Sequence, residues 1–579
     1  MEGTVVLSAL NAKYVHASPA PWCLAAGINA HASELYRRVC IVEATVNQPA
    51  ADVLGQIVTK APVVVGFSCY IWNVDATLAL CTALKQALPQ VIIVLGGPEV
   101  SYCAKDVLEI NAQVDYILAG EGEESLPAFL RAVLDQEKPA RLPQEAQQMV
   151  TGLCGRYADG TIYESPPCVL SGVVPSPLIA GYAEAVQGRI AYIETSRGCP
   201  YSCAFCLSGR GGTPRFFALD CVFQDLVRLA NSGTRTIKFV DRTFNANAAH
   251  ANTILQFILT HYGKEIPQGI CFHFEIAGDI LREETFALLA QMPAGAVQLE
   301  IGVQSFCEKT LEAVNRKTNT AAVQANIQRL VAMGNMHIHI DLIAGLPHEN
   351  LIVFAEGFNK GYALGAQMLQ LGFLKLLHGS TMRSQPQNYP CKFDANTPYQ
   401  VYTTPWLSTR EFDLLHHTEN AVERVYNSGR FRLTADYVLC ASGQTPFEFY
   451  TGLGIAAHKA GVHGGISLDE YTAVLQKYCA SLHNVDDEIL RDSLVRDRLS
   501  TNSTGRLPPG LYRKDTQVAK VIKWLSANPA TAPQKSVRRG VALLYAAKSV
   551  CWADYNPEEK NPVNGRWVLH EMPLDTILA

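Results

Sequence analysis

Between residue 3 and about residue 140, five short β-branched runs alternate with stretches long enough for helices. The runs are Thr4–Leu10, Val39–Glu43, Val63–Phe67, Val91–Leu95 and Asp115–Leu118, and the helical stretches are Ala17–Ala32, Ala50–Lys60, Asp75–Leu88 and Ala104–Asn111. Strands separated by a helix cannot close as tight hairpins, so they cross over and pair in parallel. The expectation is an α/β chain opening with a doubly wound, Rossmann-like domain over residues 1–140, whose ligands sit beyond the strand carboxyl ends. At 579 residues the chain has room for about three or four such folding units. Only 17% of residues are charged and 48% are hydrophobic, which excludes disorder and points to large cores. A net charge of −5 removes the global basic field of a dedicated nucleic-acid binder.

The 17 cysteines are scattered apart from one cluster, which reads as an intracellular thiol pattern and not a secreted disulfide framework. The start, Met1-Glu2-Gly3-Thr4-Val5-Val6, has no basic region before its apolar run, and no stretch of about 18 apolar residues occurs. A cytoplasmic protein without a membrane span is expected, and no internal repeat argues for a solenoid or propeller.

The unusual residues of the first domain collect after its strands. They are Asn11, Tyr14 and His16 after the first, Ser68, Tyr70 and Trp72 after the third, Gly96, Gly97 and Pro98 after the fourth, and Gly120 and Glu121 after the fifth. Paired glycines let a ligand approach the backbone, and Tyr70 and Trp72 suit the wall of a large planar one. Taken singly, each loop also reads as a tight turn or a core cap. Neither G-x-G-x-x-G nor a P-loop is present, which argues against the usual nucleotide ligands.

The strongest signal is Glu194-Thr195-Ser196-Arg197-Gly198-Cys199-Pro200-Tyr201-Ser202-Cys203-Ala204-Phe205-Cys206. Its C-x-x-x-C-x-x-C spacing places Cys199, Cys203 and Cys206 on one loop with no fourth ligand at zinc-type spacing. Three thiolates can hold three irons of a 4Fe-4S cubane and leave the fourth iron open.

This motif, with Phe205 beside the last cysteine, resembles the radical S-adenosylmethionine enzymes. The resemblance implies that the open iron chelates the amino and carboxylate groups of S-adenosylmethionine, and that one-electron reduction releases a 5′-deoxyadenosyl radical. It also implies a partial (β/α)6 barrel over residues 190–400, fitting strands at Ile190–Ser196, Thr236–Val240, Cys271–Ile276, Ala296–Gly302, His337–Ala344 and Met368–Leu374. Carried over strand by strand, the S-adenosylmethionine contacts are Phe205, Asp241, Glu275, Glu300 and Gln304. Asp241 stands where many members have Gly-Gly-Glu, and for Glu275 and Glu300 an internal salt bridge is an equal reading.

A doubly wound domain ahead of such a barrel is similar to the cobalamin-binding class of the superfamily, which gives the eleven loop residues a ligand. Around His16 the sequence lacks the Asp and Gly of D-x-H-x-x-G, so no histidine ligand to cobalt is expected. The class implies methyl transfer from S-adenosylmethionine through methylcobalamin to an unactivated carbon or phosphorus centre. Its partners would be a small-molecule or peptide substrate and an external electron donor of flavodoxin or ferredoxin type. A non-methylating cyclisation or rearrangement is the alternative reading, and a cobalamin sensor with a structural cluster is a third. Residues 141–189 read as a linker and 401–579 as a mainly helical domain. There Ser408-Thr409-Arg410-Glu411 forms a capping box, and Asp469–Leu482, Thr516–Ser526 and Val537–Ala553 read as helices.

Overall fold

A computed structural model of the chain describes residues 3–134, 142, 149–462, 464–528 and 537–578. Met1 and Glu2, and most of the first residues of the expected linker, lie outside the described residues. The chain divides into two compact units. The first comprises Met1–Gln291, Val314–Arg316 and Lys375–Val401; the second comprises Met292–Ala313, Lys317–Leu374 and Tyr402–Ala579.

The first unit opens with β1 (Thr4–Asn11), β2 (Val39–Thr45), β3 (Pro62–Ser68), β4 (Ile92–Gly96) and β5 (Tyr116–Leu118). They pair in parallel in the order β2-β1-β3-β4-β5. Alternating residues of β1 feed two cores: Val6 and Leu10 join one face, Val5 and Leu7 the other. Helices Ala50–Val58 and Val74–Ala87 cover the first face, and Ala20–His31 and Gly122–Leu134 cover the second. Fully buried aliphatic side chains of this kind contribute about 1.5–3 kcal/mol each, which is what holds a sheet between two helical layers. In this strand order the direction of winding reverses between β1 and β3, and their carboxyl ends part to form a crevice.

The expected linker departs from that reading. Within it, β6 (Leu153–Arg156) and β7 (Ile162–Tyr163) extend the sheet as antiparallel strands beyond β5. Their pairing gives the otherwise exposed edge of β5 a partner, as edge strands require.

The next elements of the first unit are β8 (Ile190–Ile193), β9 (Ser196–Arg197), β10 (Arg215–Phe216), β11 (Thr236–Phe239) and β12 (Cys271–Ile276). β11 pairs in parallel with both β8 and β12, while β9 and β10 form a short antiparallel ladder around the cysteine loop. In the second unit, β13 (Val297–Gln304), β14 (His337–Ala344) and β15 (Met368–Phe373) repeat the parallel pattern, with helices Thr320–Met333 and Leu351–Ala363 as crossovers. The alternation of β13 is regular: Val297, Leu299, Ile301 and Val303 are buried, and Gln298, Glu300, Gly302 and Gln304 face the opposite side.

Beyond residue 401 the second unit is mainly helical. The capping box at Ser408 and Glu411 starts helix Thr409–Val422, and Leu468–Ala480 and Gln517–Ala527 match two further expectations. Val537–Ala553 is not a helix. It folds as a hairpin of strands Arg539–Leu544 and Ser549–Asp554, joined by His570–Pro573 in a three-stranded antiparallel sheet. Asp492 accepts hydrogen bonds from the backbone N–H groups of Tyr545, Ala546 and Ala547, so a residue some fifty positions away fixes the turn. No helix among the described residues is long and apolar enough to cross a membrane.

Candidate active site

The carboxyl ends of β1, β3, β4 and β5 open onto a cavity of about 1230 Å³ within the first unit. Asn11, His16, Ser68, Tyr70, Trp72, Gly96, Gly97, Pro98, Gly120 and Glu121 all line it, as do Glu194, Ser196, Arg197 and Gly198 from the approach to the cysteines. The cavity also reaches beneath the sheet to Leu7, Gly66, Val94 and Leu126.

Local contacts decide what each rim residue does. Asn73 donates from Nδ2 to the carbonyls of Leu10 (3.0 Å) and Ser68 (3.1 Å) and thereby ties the ends of β1 and β3 across the crevice. Both ends of the Asn11 carboxamide are used, Nδ2 donating to Glu43 (3.1 Å) and Oδ1 accepting from the Ser18 N–H (3.0 Å). His16 shares a 2.6 Å hydrogen bond with Tyr192, and burial, followed by Lys238, Lys13 and Arg189, holds its pKa below the usual value. Tyr70 and Trp72 stack in parallel at 4.4 Å, with Trp72 half exposed.

One expectation changes, and two gain a second role. Tyr14 does not line the cavity; it is 76% exposed and lies under the Arg189 guanidinium, 5.3 Å from its ring centre. The glycines serve the chain as well as any ligand: a Cβ on Gly97 (φ 102°) would come within 2.5 Å of the Cys69 carbonyl, and one on Gly120 (φ 91°) would collide with the Cys168 backbone. Glu121 is committed to Arg215 and Arg197 and accepts from the Leu170 N–H at 2.7 Å, so its charge is already balanced.

Arg197 is the hub that ties the rim to the cysteine loop. Its guanidinium meets Glu194 at 2.7 Å, Glu123 at 2.9 Å and Glu121 at 3.4 Å. Burial works against its charge, but Glu194 and Glu123 outweigh it and hold the guanidinium far above its ordinary range. Arg197 stands inside the cysteine motif with no role implied by the spacing, and Glu123 lies just past the Gly120-Glu121 turn. In a chain so poor in charge, an arginine inside the motif and a Glu-rich turn were the available signal.

Each cysteine sulfur has a donor or polar neighbour from this chain. Cys199 Sγ lies 3.4 Å from the Thr243 hydroxyl, the Ser208 N–H donates to Cys206 Sγ (3.4 Å), and Arg316 donates to Cys203 Sγ (3.6 Å). Residues Val314–Arg316 grip the loop: the Ala204 N–H donates to the Val314 carbonyl (2.9 Å) and Asn315, at a positive φ of 54°, donates to the Ser202 carbonyl (3.2 Å). Hydrogen bonds to sulfur and a nearby cation are what an anionic iron–sulfur cluster needs around it, so the donor set fits that group.

Of the residues expected to contact S-adenosylmethionine, Glu275 lines the cavity and Phe205 and Asp241 do not. Asp241 is turned into the chain, accepting from the Thr195 N–H (3.0 Å), the Thr195 hydroxyl (2.7 Å) and the Ser196 hydroxyl (2.5 Å). Burial raises its pKa to about 6, only partly offset by those bonds. It braces the strand before the cysteines and does not present an open acceptor; its neighbour Arg242 lines the cavity instead. In the second unit, Glu300 lies beside His339, and Gln304 takes a positive φ of 69° where the pairing of β13 with β14 shifts register.

Comparison with known proteins agrees with this layout. A profile described as B12 binding domain matches residues 9–130, one described as Radical SAM superfamily matches 193–356, and a protein family of unknown function, DUF4080, matches 387–533. The chain is 25% identical over 394 residues to the cobalamin-dependent radical SAM methyltransferase TokK of Streptomyces tokunonensis, covering 63% of this chain and 54% of that protein. It is 25% identical over 339 residues to the anaerobic magnesium-protoporphyrin IX monomethyl ester cyclase of Rubrivivax gelatinosus, covering 56% and 58%. The chain thus spans about half the length of the curated relatives it matches. The fold resembles that of the cobalamin-dependent S-adenosylmethionine radical enzyme OxsB with aqua-cobalamin and S-adenosylmethionine bound, at a TM-score of 0.60 and 14% identity over 86% of this chain and 79% of that one. The chain is thus matched by a cobalamin-binding profile followed by a radical S-adenosylmethionine profile, the domain order of the cobalamin-dependent radical enzymes it resembles.

Proposed function

We propose that the protein is a methyltransferase that moves a methyl group from S-adenosylmethionine by way of cobalamin to an unactivated carbon or phosphorus centre of a small-molecule or peptide substrate. The observation that carries this reading is the cavity onto which the cobalamin-type strand ends and the residues leading into the cysteine loop both open. A 4Fe-4S cluster held by the three cysteines would supply the electron for reductive cleavage of S-adenosylmethionine, and cobalamin at the rim would supply a methyl carrier.

The chain's own residues prepare the site. Cys199, Cys203 and Cys206 are the three ligands we assign to the cluster, with Thr243, Ser208 and Arg316 beside their sulfurs. A guanidinium at that position suits a carboxylate, and Glu275 offers the cavity an acceptor for an ammonium or a hydroxyl. Glu300 and Gln304 remain the proposed ribose and carboxylate contacts of the second unit, and Asp241 positions Thr195 and Ser196. At the rim, His16 Nδ1 is engaged by Tyr192, and the absence of the D-x-H-x-x-G pattern around it supports cobalamin binding without a histidine ligand. Leu7, Phe67, Val94 and Leu95 give the cavity an apolar wall of the kind that protects a reactive carbon-centred species. An external donor of flavodoxin or ferredoxin type would supply the electrons.

The test uses reconstituted protein, reductant and S-adenosylmethionine labelled in its methyl group. With substrate, S-adenosylhomocysteine and 5′-deoxyadenosine should appear together with a labelled product. The likeness to the cyclase favours the second reading, a cyclisation or rearrangement. It takes over if 5′-deoxyadenosine accumulates with an altered but unlabelled substrate.

A further inference from the structure

On the face of β13 and β14 opposite their aliphatic side, three groups that can carry charge meet. Glu300 and His339 are paired residues of neighbouring strands, and Asp341 follows His339 by two positions on the same face. His339 Nε2 lies 3.0 Å from Asp341 Oδ1, its Nδ1 lies 3.7 Å from Glu300 Oε2, and the ring is nine-tenths buried. The three ligand-type atoms fall within 4.8 Å of one another.

Two carboxylates this close repel unless something sits between them. We propose that His339 is a positioning residue of the S-adenosylmethionine site, an imidazole wedged between Glu300 and Asp341 that holds both carboxylates ionised and aimed in fixed directions. The inference rests on the reading that Glu300 contacts S-adenosylmethionine.

The surroundings of the ring support its charged form. Burial opposes protonation, but Asp341, Glu300 and Gln370 of β15 outweigh it and raise the His339 pKa above its usual value. Glu300 on β13, Asp341 on its own strand and the neutral Gln370 on β15 are the groups that face it. A protonated His339 leaves the trio with one net negative charge instead of two. Carboxylates so held can accept from ribose hydroxyls or an ammonium without first rearranging.

The test is S-adenosylmethionine binding to the full reconstituted chain, measured as a dissociation constant from pH 5 to 9 for wild type, His339→Leu, His339→Gln and Glu300→Gln. His339→Leu should weaken binding about tenfold. It should also move the acid limb of the profile to higher pH, because the unscreened carboxylates ionise later. His339→Gln should recover part of the affinity, since an amide can still donate to one carboxylate, and should lose the alkaline limb that belongs to the imidazole. Iron and sulfide content confirms that each variant has folded, and the Gln variant with the wild-type profile decides the matter if His339→Leu has not. An unchanged profile in both His339 variants, with Glu300→Gln weakened, overturns the inference alone. Unchanged binding in Glu300→Gln instead removes the reading of Glu300 and this inference with it. One equivalent of a divalent metal lost on substituting His339 would make the residue a ligand and also overturn the proposal.

Discussion

The cysteine loop and the rim of the doubly wound domain are built on opposite principles. Around the loop the chain turns polar groups toward the sulfurs: a hydroxyl, a backbone N–H and a guanidinium each lie within 3.4–3.6 Å of one of them. At the rim the polar groups are spent on one another. Asn11 is taken by Glu43 and Ser18, Asn73 by two strand carbonyls, and Glu121 by two arginines, so what the rim presents is shape. The loop is equipped to hold charge, and the rim to fit a large, mostly neutral body. The two halves should therefore fail separately, except where Arg197 joins them.

The sharpest separation is expected from replacing Cys199, Cys203 and Cys206 by Ala. Iron and sulfide, about four of each per chain in the reconstituted wild type, should fall to background while cobalamin is still retained; absorption spectra and metal analysis read both. One zinc without sulfide in the wild type would refute the cluster assignment.

Arg197→Ala should blur the separation, because it strips three carboxylates of their shared cation. Removing one partner from a largely buried network costs about 3 kcal/mol after allowing for its partial exposure. Denaturant unfolding should show that loss, and both iron and cobalamin content should drop.

Asp241 gives a pH signature on the loop side. Its folded pKa of about 6 lies above the unfolded value, so its contribution to stability is complete below about pH 4 and disappears as pH rises through 6. The span corresponds to about 3 kcal/mol, and Asp241→Asn should flatten that part of the stability-versus-pH curve. A difference curve without slope between pH 4 and 6 would discard the buried-carboxyl account.

Gly97→Ala tests the rim alone. The added Cβ meets the Cys69 carbonyl in a left-handed backbone, for a cost of about 2 kcal/mol. Cobalamin retention should fall with full iron content, and an equal loss of both would argue against independent halves. The smallest effect belongs to Trp72→Ala. Removing a half-exposed stacked ring should shift unfolding by about 1 kcal/mol or less. It should weaken cobalamin binding severalfold, seen by equilibrium dialysis.

How far the sequence could be read follows from how local each feature is. The cysteine triad and the parallel strands were legible because ligand spacing and β-branched runs are contiguous in the chain. His337–Ala344 and Cys271–Ile276 were located to the residue. Val537–Ala553 misled because Val541, Ala542, Leu543 and Leu544 fit a helix as well as a strand, and the decisive cap comes from Asp492. Asp241 was singled out as an open acceptor, but its bracing contacts were not legible, since the hydroxyls of Thr195 and Ser196 reach it only after β8 and β11 pair. The commitment of Glu121 to Arg215 spans 94 positions, beyond any local pattern.

The bond from Asn73 to Leu10 and Ser68 carries a further consequence. One amide nitrogen spans both carbonyls, so the width of the crevice is gauged by a single rigid group and not by the looser balance of two opposing loops. Exchanging that amide for a carboxylate of the same outline would set like poles against one another and prise the strand tips apart. Asn73 thus works as a calliper set between the tips of β1 and β3.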